Sequence, residues 1–441
     1  MIEYTKQLPV RHQVDVFVAG GGPAGIAAAL AASRQGASVL LIEGTACFGG
    51  MGTAGMVPAF MQFADGINFL AGGIGREIYD RLWEGKGASP DDRYDNPMRH
   101  LSIHAEVLKR VYDEMITESG INYALMTQMV DVIASDGAVS AVVCAGKSGP
   151  YAVRAQMYVD ATGDGDLASW AGAPYEKGDE QGQMMAGTLC SLWANVDWDA
   201  VRAAKQRAED ELPRAFADGC FAVQDHHLPG MWRVGHTLAG GNLGHTFGVD
   251  GTDERSLTEA LVYGRKLLTE YEHFYRRYMS GYDSLELAAT GALLGIRETR
   301  RIIGDYQLNL ADFQARAVFA DEIGRYSYPV DVHASDPSAE AFDRLMEGLH
   351  AFRLGIGESY GIPYRTLTPK GLSNVLVAGR CISADRPLQG SVRVMPGCYI
   401  TGQAAGVAAA LGASGDQDVH TIDVSEIQGR LKELGAYLPN A

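Results

Sequence analysis

Four of the chain's 11 histidines fall between residues 226 and 245: His226, His227, His236 and His245. An imidazole titrates near neutral pH, so a histidine in a cleft suits the removal of a proton from an alcohol or amine. Glycines bracket His245 in Gly240-Gly-Asn-Leu-Gly-His-Thr246 and let its backbone approach a ligand closely. His245 is therefore the first candidate for a base and His236 the second, each weighed against a surface or structural role. A metal site is the other reading of the cluster. Its spacing, H-H-x8-H-x8-H, fits no standard ligand pattern, and no metal is expected.

Arg297-Glu-Thr-Arg-Arg301 places three arginines in five residues. On a helix, Arg297 and Arg301 would share a face. Arg297 then either points into the active site to hold an anionic or polyhydroxylated group, or ties two domains in a salt bridge. Arg393, just before Pro396-Gly397, is a candidate of the same kind. Tyr282, Tyr326 and Tyr328 offer hydroxyls, although a chain with 20 tyrosines gives them no special standing. The six cysteines include no C-x-x-C, which argues against an iron–sulfur cluster, a zinc ribbon or a dithiol pair and fits a reducing compartment.

The elements that must position these groups start at Val14. Val14, Val16 and Val18 alternate into a buried strand, followed by Gly20, Gly22 and Gly25 in the G-x-G-x-x-G pattern. An Ala-rich helix runs to Gln35, Gly36 stops it, and Val39–Ile42 form a second strand ending on Glu43. Gly20 permits the tight turn, Gly22 lets a pyrophosphate approach the backbone, and Gly25 lets helix and strand pack closely. The helix, read from Ile26, offers unpaired N–H groups that attract phosphate. Glu43 can accept two hydrogen bonds from a ribose diol.

Further along, residues 47–55 read CFGGMGTAG, a small-residue loop able to wrap a pyrophosphate. Helices are predicted over 75–83 and 104–119, with a polar, substrate-facing or mobile loop over 85–97 between them. Short strands with hairpin signals at Ser135-Asp-Gly137 and Lys147-Ser-Gly-Pro150 fill residues 121–162. Residues 256–279 and 285–295 read as helices of a different unit. Regular α/β patterning returns at Asn374-Val-Leu-Val-Ala-Gly379, and 402–411 reads as a tightly packable helix. This discontinuity predicts one domain built from 1–172 and 355–441, with a substrate or cap domain over 173–354 inserted.

The formal net charge of −17 argues against nucleic acid or an anionic membrane as a partner. Residues 1–13 are polar, and no segment reaches the ~20 apolar residues that span a bilayer. A cytoplasmic protein without membrane association is expected; nothing in the pattern decides whether it forms a homo-oligomer.

Four segments together resemble the FAD-dependent oxidoreductase family of the glutathione-reductase-type FAD fold: residues 18–43, YVDATGDGDLASWAG at 158–172, GIRETRRIIGDY at 295–306, and 374–410. The resemblance implies an α/β fold with a Rossmann-like, three-layer FAD-binding domain (a parallel sheet plus a β-meander) and an inserted mixed α/β, largely helical cap. It implies FAD as the cofactor. Gly20, Gly22, Pro23, Ala24, Gly25 and Glu43 would hold the ADP half. Gly49, Gly50 and Gly52 would pass the pyrophosphate and ring, and Val130 would meet adenine through its backbone. Ala161, Thr162, Gly163 and Asp164 would close the other side. Gly379 and Arg380 would approach the pyrophosphate or ribityl chain, and Gly402 and Gln403 would bring a helix N-terminus to the flavin C2 carbonyl.

The chain departs from two branches of that family: it has no redox cysteine pair beside the Gly-Gly element, as disulfide reductases need, and no clustered cysteines, as the iron–sulfur-coupled branch needs. A second G-x-G-x-x-G for NADPH is also missing. The expected reaction is oxidation of a small polar molecule (an alcohol, sugar, hydroxy acid or amine) by hydride transfer to flavin N5, with an unspecified electron acceptor. Three alternatives are reduction of an activated C=C bond in a carboxylated substrate, a non-redox or RNA-modifying flavoprotein, and sulfur donation from Cys190 or Cys220 as in thiazole synthesis.

Overall fold

β1 (Val10–Ala19) buries Val16, Phe17 and Val18 and delivers the chain to Gly20. Gly20 adopts φ +93°, a backbone that a side chain would strain, and an added Cβ would lie 2.6 Å from the Ala161 carbonyl oxygen. The chain turns there into α1 (Pro23–Arg34), whose first ten residues are all buried. β2 (Val39–Ile42) then pairs in parallel with β1. The predicted strand–helix–strand unit is thus present. The structure is a computed structural model and describes the chain except residues 3–4, 339, 344–347, 349–351 and 416–417.

A seven-stranded sheet forms around β1, in the order Asn122–Ala124, β2, β1, Gly149–Asp160, Ala138–Gly146, Gln128–Ser135. The first four strands pair in parallel and the last three form an antiparallel meander. Strand Gly149–Asp160 serves both. Its first half pairs with the meander, and Tyr158–Asp160 pair with the seventh strand, Val375–Val377. The carboxyl-terminal part of the chain therefore completes the amino-terminal sheet.

Helix Met395–Gly415 is buried along nearly its whole length against α1. Gly402 and Gly406 make that contact: an added Cβ would lie 2.2 Å from the Ala24 carbonyl oxygen and 2.1 Å from that of Ala28. This corrects an expectation. Gly402 and Gln403 lie two turns inside the helix, not at its N-terminus, because the helix already starts at Met395. The Gln403 amide is spent on the backbone of Gly72 and Ile74. Valine at 402 would force the two helices apart. The expected cost is about 1–3 kcal/mol, read as a lower thermal midpoint; an unchanged midpoint would show that the contact is not there.

Residues 189–294 supply a second core. Strands Gly230–Arg233, Ala239–Asn242, Ser191–Ala194 and Glu286–Thr290 form an antiparallel sheet. The 25-residue helix Glu254–Tyr278 supplies Leu267, Leu268, Tyr271, Phe274 and Tyr275 to this core. The helix predicted over 285–295 is instead the strand Glu286–Thr290, followed by a loop. A short run of Leu, Glu and Ala fits either period, and pairing of Leu287 with Trp193 and Ala289 with Leu192 decides it. The cores do not divide at residue 354, since Ile302, Leu308, Phe313, Ile323, Tyr326, Val330 and Val332 all pack in the first one. Among the described residues no single helix is long and apolar enough to cross a membrane.

Candidate functional site

A cavity of about 830 Å³ runs from the carboxyl ends of β1 and β2 to the second sheet. At its first end the three glycines of the turn divide their work. Gly20 and Gly25 meet backbone: a Cβ on Gly25 would overlap the Gly20 carbonyl oxygen at 1.8 Å. A Cβ on Gly22 would meet nothing within 4 Å, because Gly22 opens onto the cavity. Gly22 also caps α1 without a side-chain hydrogen bond, so the first N–H groups of the helix are left for a ligand. The Glu43 carboxylate closes the turn, accepting from Gly21 N at 2.9 Å and Thr45 N at 2.7 Å, and lies on the wall beside Pro23 and Ala24.

The opposite wall is Ala161–Asp164. Asp160, directly before it, is fully buried and receives Thr162 N, Thr162 Oγ1 and Ala168 N. Asp164 is held by Arg380 Nη2 at 2.6 Å and by the Thr299 hydroxyl at 2.8 Å. Gly379 and Arg380 also line the cavity. Of the other residues expected at this end, Gly50 lines the cavity but Gly49 and Gly52 do not. Their missing side chains make room for Tyr112 and Thr53, and for Leu108 and Met395. Val130 does not line it either. It sits where the register shifts between Met129 and Asp131, with its side chain exposed, and Thr127–Met129 form the wall. The 85–97 loop contributes nothing to the wall; its Asp91 is tied to Arg202 and Arg233.

The other end of the cavity is polar. Residues 291–299 are irregular rather than helical, so Arg297 and Arg301 do not share a face. Arg301 is spent on Glu298, which also holds Arg386, and Arg300 on Asp166. Arg297 enters the cavity wall. It donates to the Ala186 carbonyl at 2.7 Å and the Thr188 hydroxyl at 3.0 Å, and no carboxylate among the described residues pairs with it directly. Burial and the neighbouring charge of Arg393 lower its pKa to about 10, which leaves it a cation at neutral pH. Arg393 contacts Asp331 Oδ2 at 3.2 Å, while its buried Nε has no partner among the described residues. Tyr328 borders the same space; Tyr282 and Tyr326 are buried in the cores.

Among the described residues, the imidazoles that reach the cavity are His227 and His333. His236 is exposed in the turn between two strands of the second sheet, and His226 is exposed against Phe216. His245 is buried one layer behind, its Nε2 3.2 Å from His333 Nδ1 and its Nδ1 2.9 Å from Asp225 Oδ2. The favoured base therefore acts at most through His333. Burial, then His245 and Arg297, bring His227 down to about 4, and burial and Arg297 also keep His333 neutral. Burial favours a protonated Asp331, but His333, Arg393 and Arg297 outweigh it and hold its pKa below the usual carboxylate range. Cys190 lies on the wall as an inert thiol, since burial pushes its pKa up to about 12 despite Arg297. Cys220 is away from the cavity, so neither cysteine suits sulfur donation.

Asp225, Asp331 and His333 were not singled out from the sequence. The available signal was Asp331-Val-His333, because in extended chain residues two apart share a face.

The family described as FAD dependent oxidoreductase matches residues 15–431. No curated protein matches the chain. Among solved structures, a geranylgeranyl bacteriochlorophyll reductase-like protein from Thermoplasma acidophilum aligns over 96% of this chain and 84% of its own, at 12% identity and a TM-score of 0.49. The p-nitrophenol 4-monooxygenase of Pseudomonas putida aligns over 97% and 91%, at 12% identity and a TM-score of 0.49.

Proposed function

The chain belongs to the FAD-dependent oxidoreductase family, and from that premise we propose that it oxidises a small substrate bearing a carboxylate, a hydroxy acid or an amino acid, on a glutathione-reductase-type FAD fold. The residues present fit the cofactor. Gly22 opens onto an elongated cavity, α1 presents uncapped N–H groups to it, and Glu43 and Ala161–Asp164 flank it. Those residues, with Gly50, Gly379 and Arg380, would hold FAD, and bound FAD supplies a hydride acceptor at N5.

Arg297 carries the choice of substrate. An arginine buried without a carboxylate partner is costly, by several kcal/mol in general, and a carboxylate arriving with the substrate offsets that cost. Arg393, already shared with Asp331, directs a second guanidinium to the same space. His227 and His333 bring uncharged imidazoles to the same cavity, whose wall also carries the apolar side chains of Val57, Met61, Leu257 and Leu261.

The test is anaerobic mixing of the yellow protein with hydroxy acids and amino acids and with their methyl esters. A carboxylate is expected to bleach the flavin and its ester to fail. Bleaching by neutral sugars or alcohols in preference to every acid would refute this reading. The same pair of arginines serves a carboxylated enoate equally well; reoxidation of the bleached flavin by an enoate would mark the reaction as a C=C reduction.

A further inference from the structure

We propose that His227, His245 and His333 bind a first-row divalent metal ion of the zinc type, with an open coordination position toward the substrate end of the cavity. One nitrogen from each ring lies within 4.8 Å of the other two. The three come from two distant stretches of chain, which is why their spacing matches no linear ligand pattern.

The tautomers make the case. His245 Nδ1 lies 2.9 Å from Asp225 Oδ2. No other donor among the described residues reaches this oxygen, and a bare ring nitrogen at 2.9 Å would oppose a carboxylate oxygen, so Nδ1 carries the proton. His333 Nε2 likewise faces Asp331 Oδ1, at 3.4 Å, and carries its proton there. A neutral imidazole has one N–H, so the two remaining nitrogens, His245 Nε2 and His333 Nδ1, are both lone pairs. They face each other at 3.2 Å. Two lone pairs at that distance repel unless a cation lies between or beside them.

Either a shared proton or a metal ion meets that need, and three features favour the metal. Two nitrogens bound at ~2.0–2.1 Å to a tetrahedral ion lie about 3.3–3.4 Å apart, close to the observed separation. A third ring, His227, joins the pair, whereas a shared proton needs only two. A carboxylate stands behind each of two rings and fixes the nitrogen it presents, the usual support of metal-binding histidines. Asp225 also accepts from the backbone N–H of His227 at 3.0 Å, so one carboxylate places two of the ligands. A void of about 10 Å³ adjoins the three rings, and His227 and His333 border the large cavity as well. Three imidazoles and no thiolate suit zinc, iron, nickel or copper rather than magnesium or calcium. Three protein ligands with one open position are the arrangement of catalytic rather than structural ions.

The proposal is independent of the substrate. Flavin-loaded protein is treated with a chelator and titrated with Zn²⁺ alone, in competition with a chromophoric chelator, and separately with Co²⁺, read by its visible bands. One ion per chain is expected. His227→Ala and His333→Ala should each weaken binding at least tenfold, Asp225→Asn about 10- to 100-fold, and the exposed neighbour His226→Ala not at all. Circular dichroism and flavin content confirm that each variant is folded. The proposal is overturned if the wild type binds no ion at one per chain, or if folded His227→Ala and His333→Ala bind as tightly as it does. Retained metal binding beside failed acid-specific bleaching would discard the substrate reading and keep the site; the reverse would discard the site alone.

Discussion

Replacing Gly22 by valine is expected to give folded protein without its FAD. The side chain would enter space that none of the described residues fills within 4 Å, so the chain itself has no reason to unfold. The same space adjoins the uncapped start of α1, where a pyrophosphate draws on N–H groups and the helix dipole. Excluding it should weaken binding by at least about 100-fold, some 2.7 kcal/mol, which removes most of the flavin during purification. The measurement is flavin absorbance per chain, together with the thermal midpoint of the flavin-free protein. Gly20 is the contrast. Its Cβ would strike the Ala161 carbonyl from a left-handed backbone, so Gly20→Val should lose the fold with the flavin. A yellow, stoichiometrically loaded Gly22→Val protein would show that the dinucleotide does not pass this turn.

Arg297→Met separates substrate binding from stability by the sign of its effects. Loss of a charge-assisted anchor in the cavity wall is expected to lower kcat/KM for the carboxylate substrate by about 100- to 1,000-fold, or roughly 3–4 kcal/mol. The folded protein should hardly suffer. The change leaves the Ala186 carbonyl and the Thr188 hydroxyl without a donor, but it also removes a buried charge that no carboxylate among the described residues pairs with directly. The thermal midpoint should hold within a few degrees, or rise, while activity on acids collapses and any trace activity on neutral analogues survives. Equal losses on acids and on their esters would assign Arg297 to the cofactor or the fold instead.

What the sequence determined by itself is local. β1, the turn at Gly20–Gly25, α1, β2 and Glu43 follow one another within a few tens of residues, and each constraint acts between near neighbours. The hairpins of the meander and helix Ala105–Glu118 are of the same kind. Where a signal was local but ambiguous, tertiary contacts overrode it: Glu286–Thr290 became a strand because Ser191–Ala194 was there to pair with it, and Gly402 served helix packing because α1 lies against it. The chemical end of the cavity was beyond any local reading. His245 meets Asp225 and His333, Arg297 meets Thr188, and Arg393 meets Asp331, pairs separated by 20 to more than 100 residues. A side chain's neighbours across such distances are chosen by how two cores close on one another, so the residue types were legible in the sequence while their partners, protonation and access to the cavity were decided only in three dimensions.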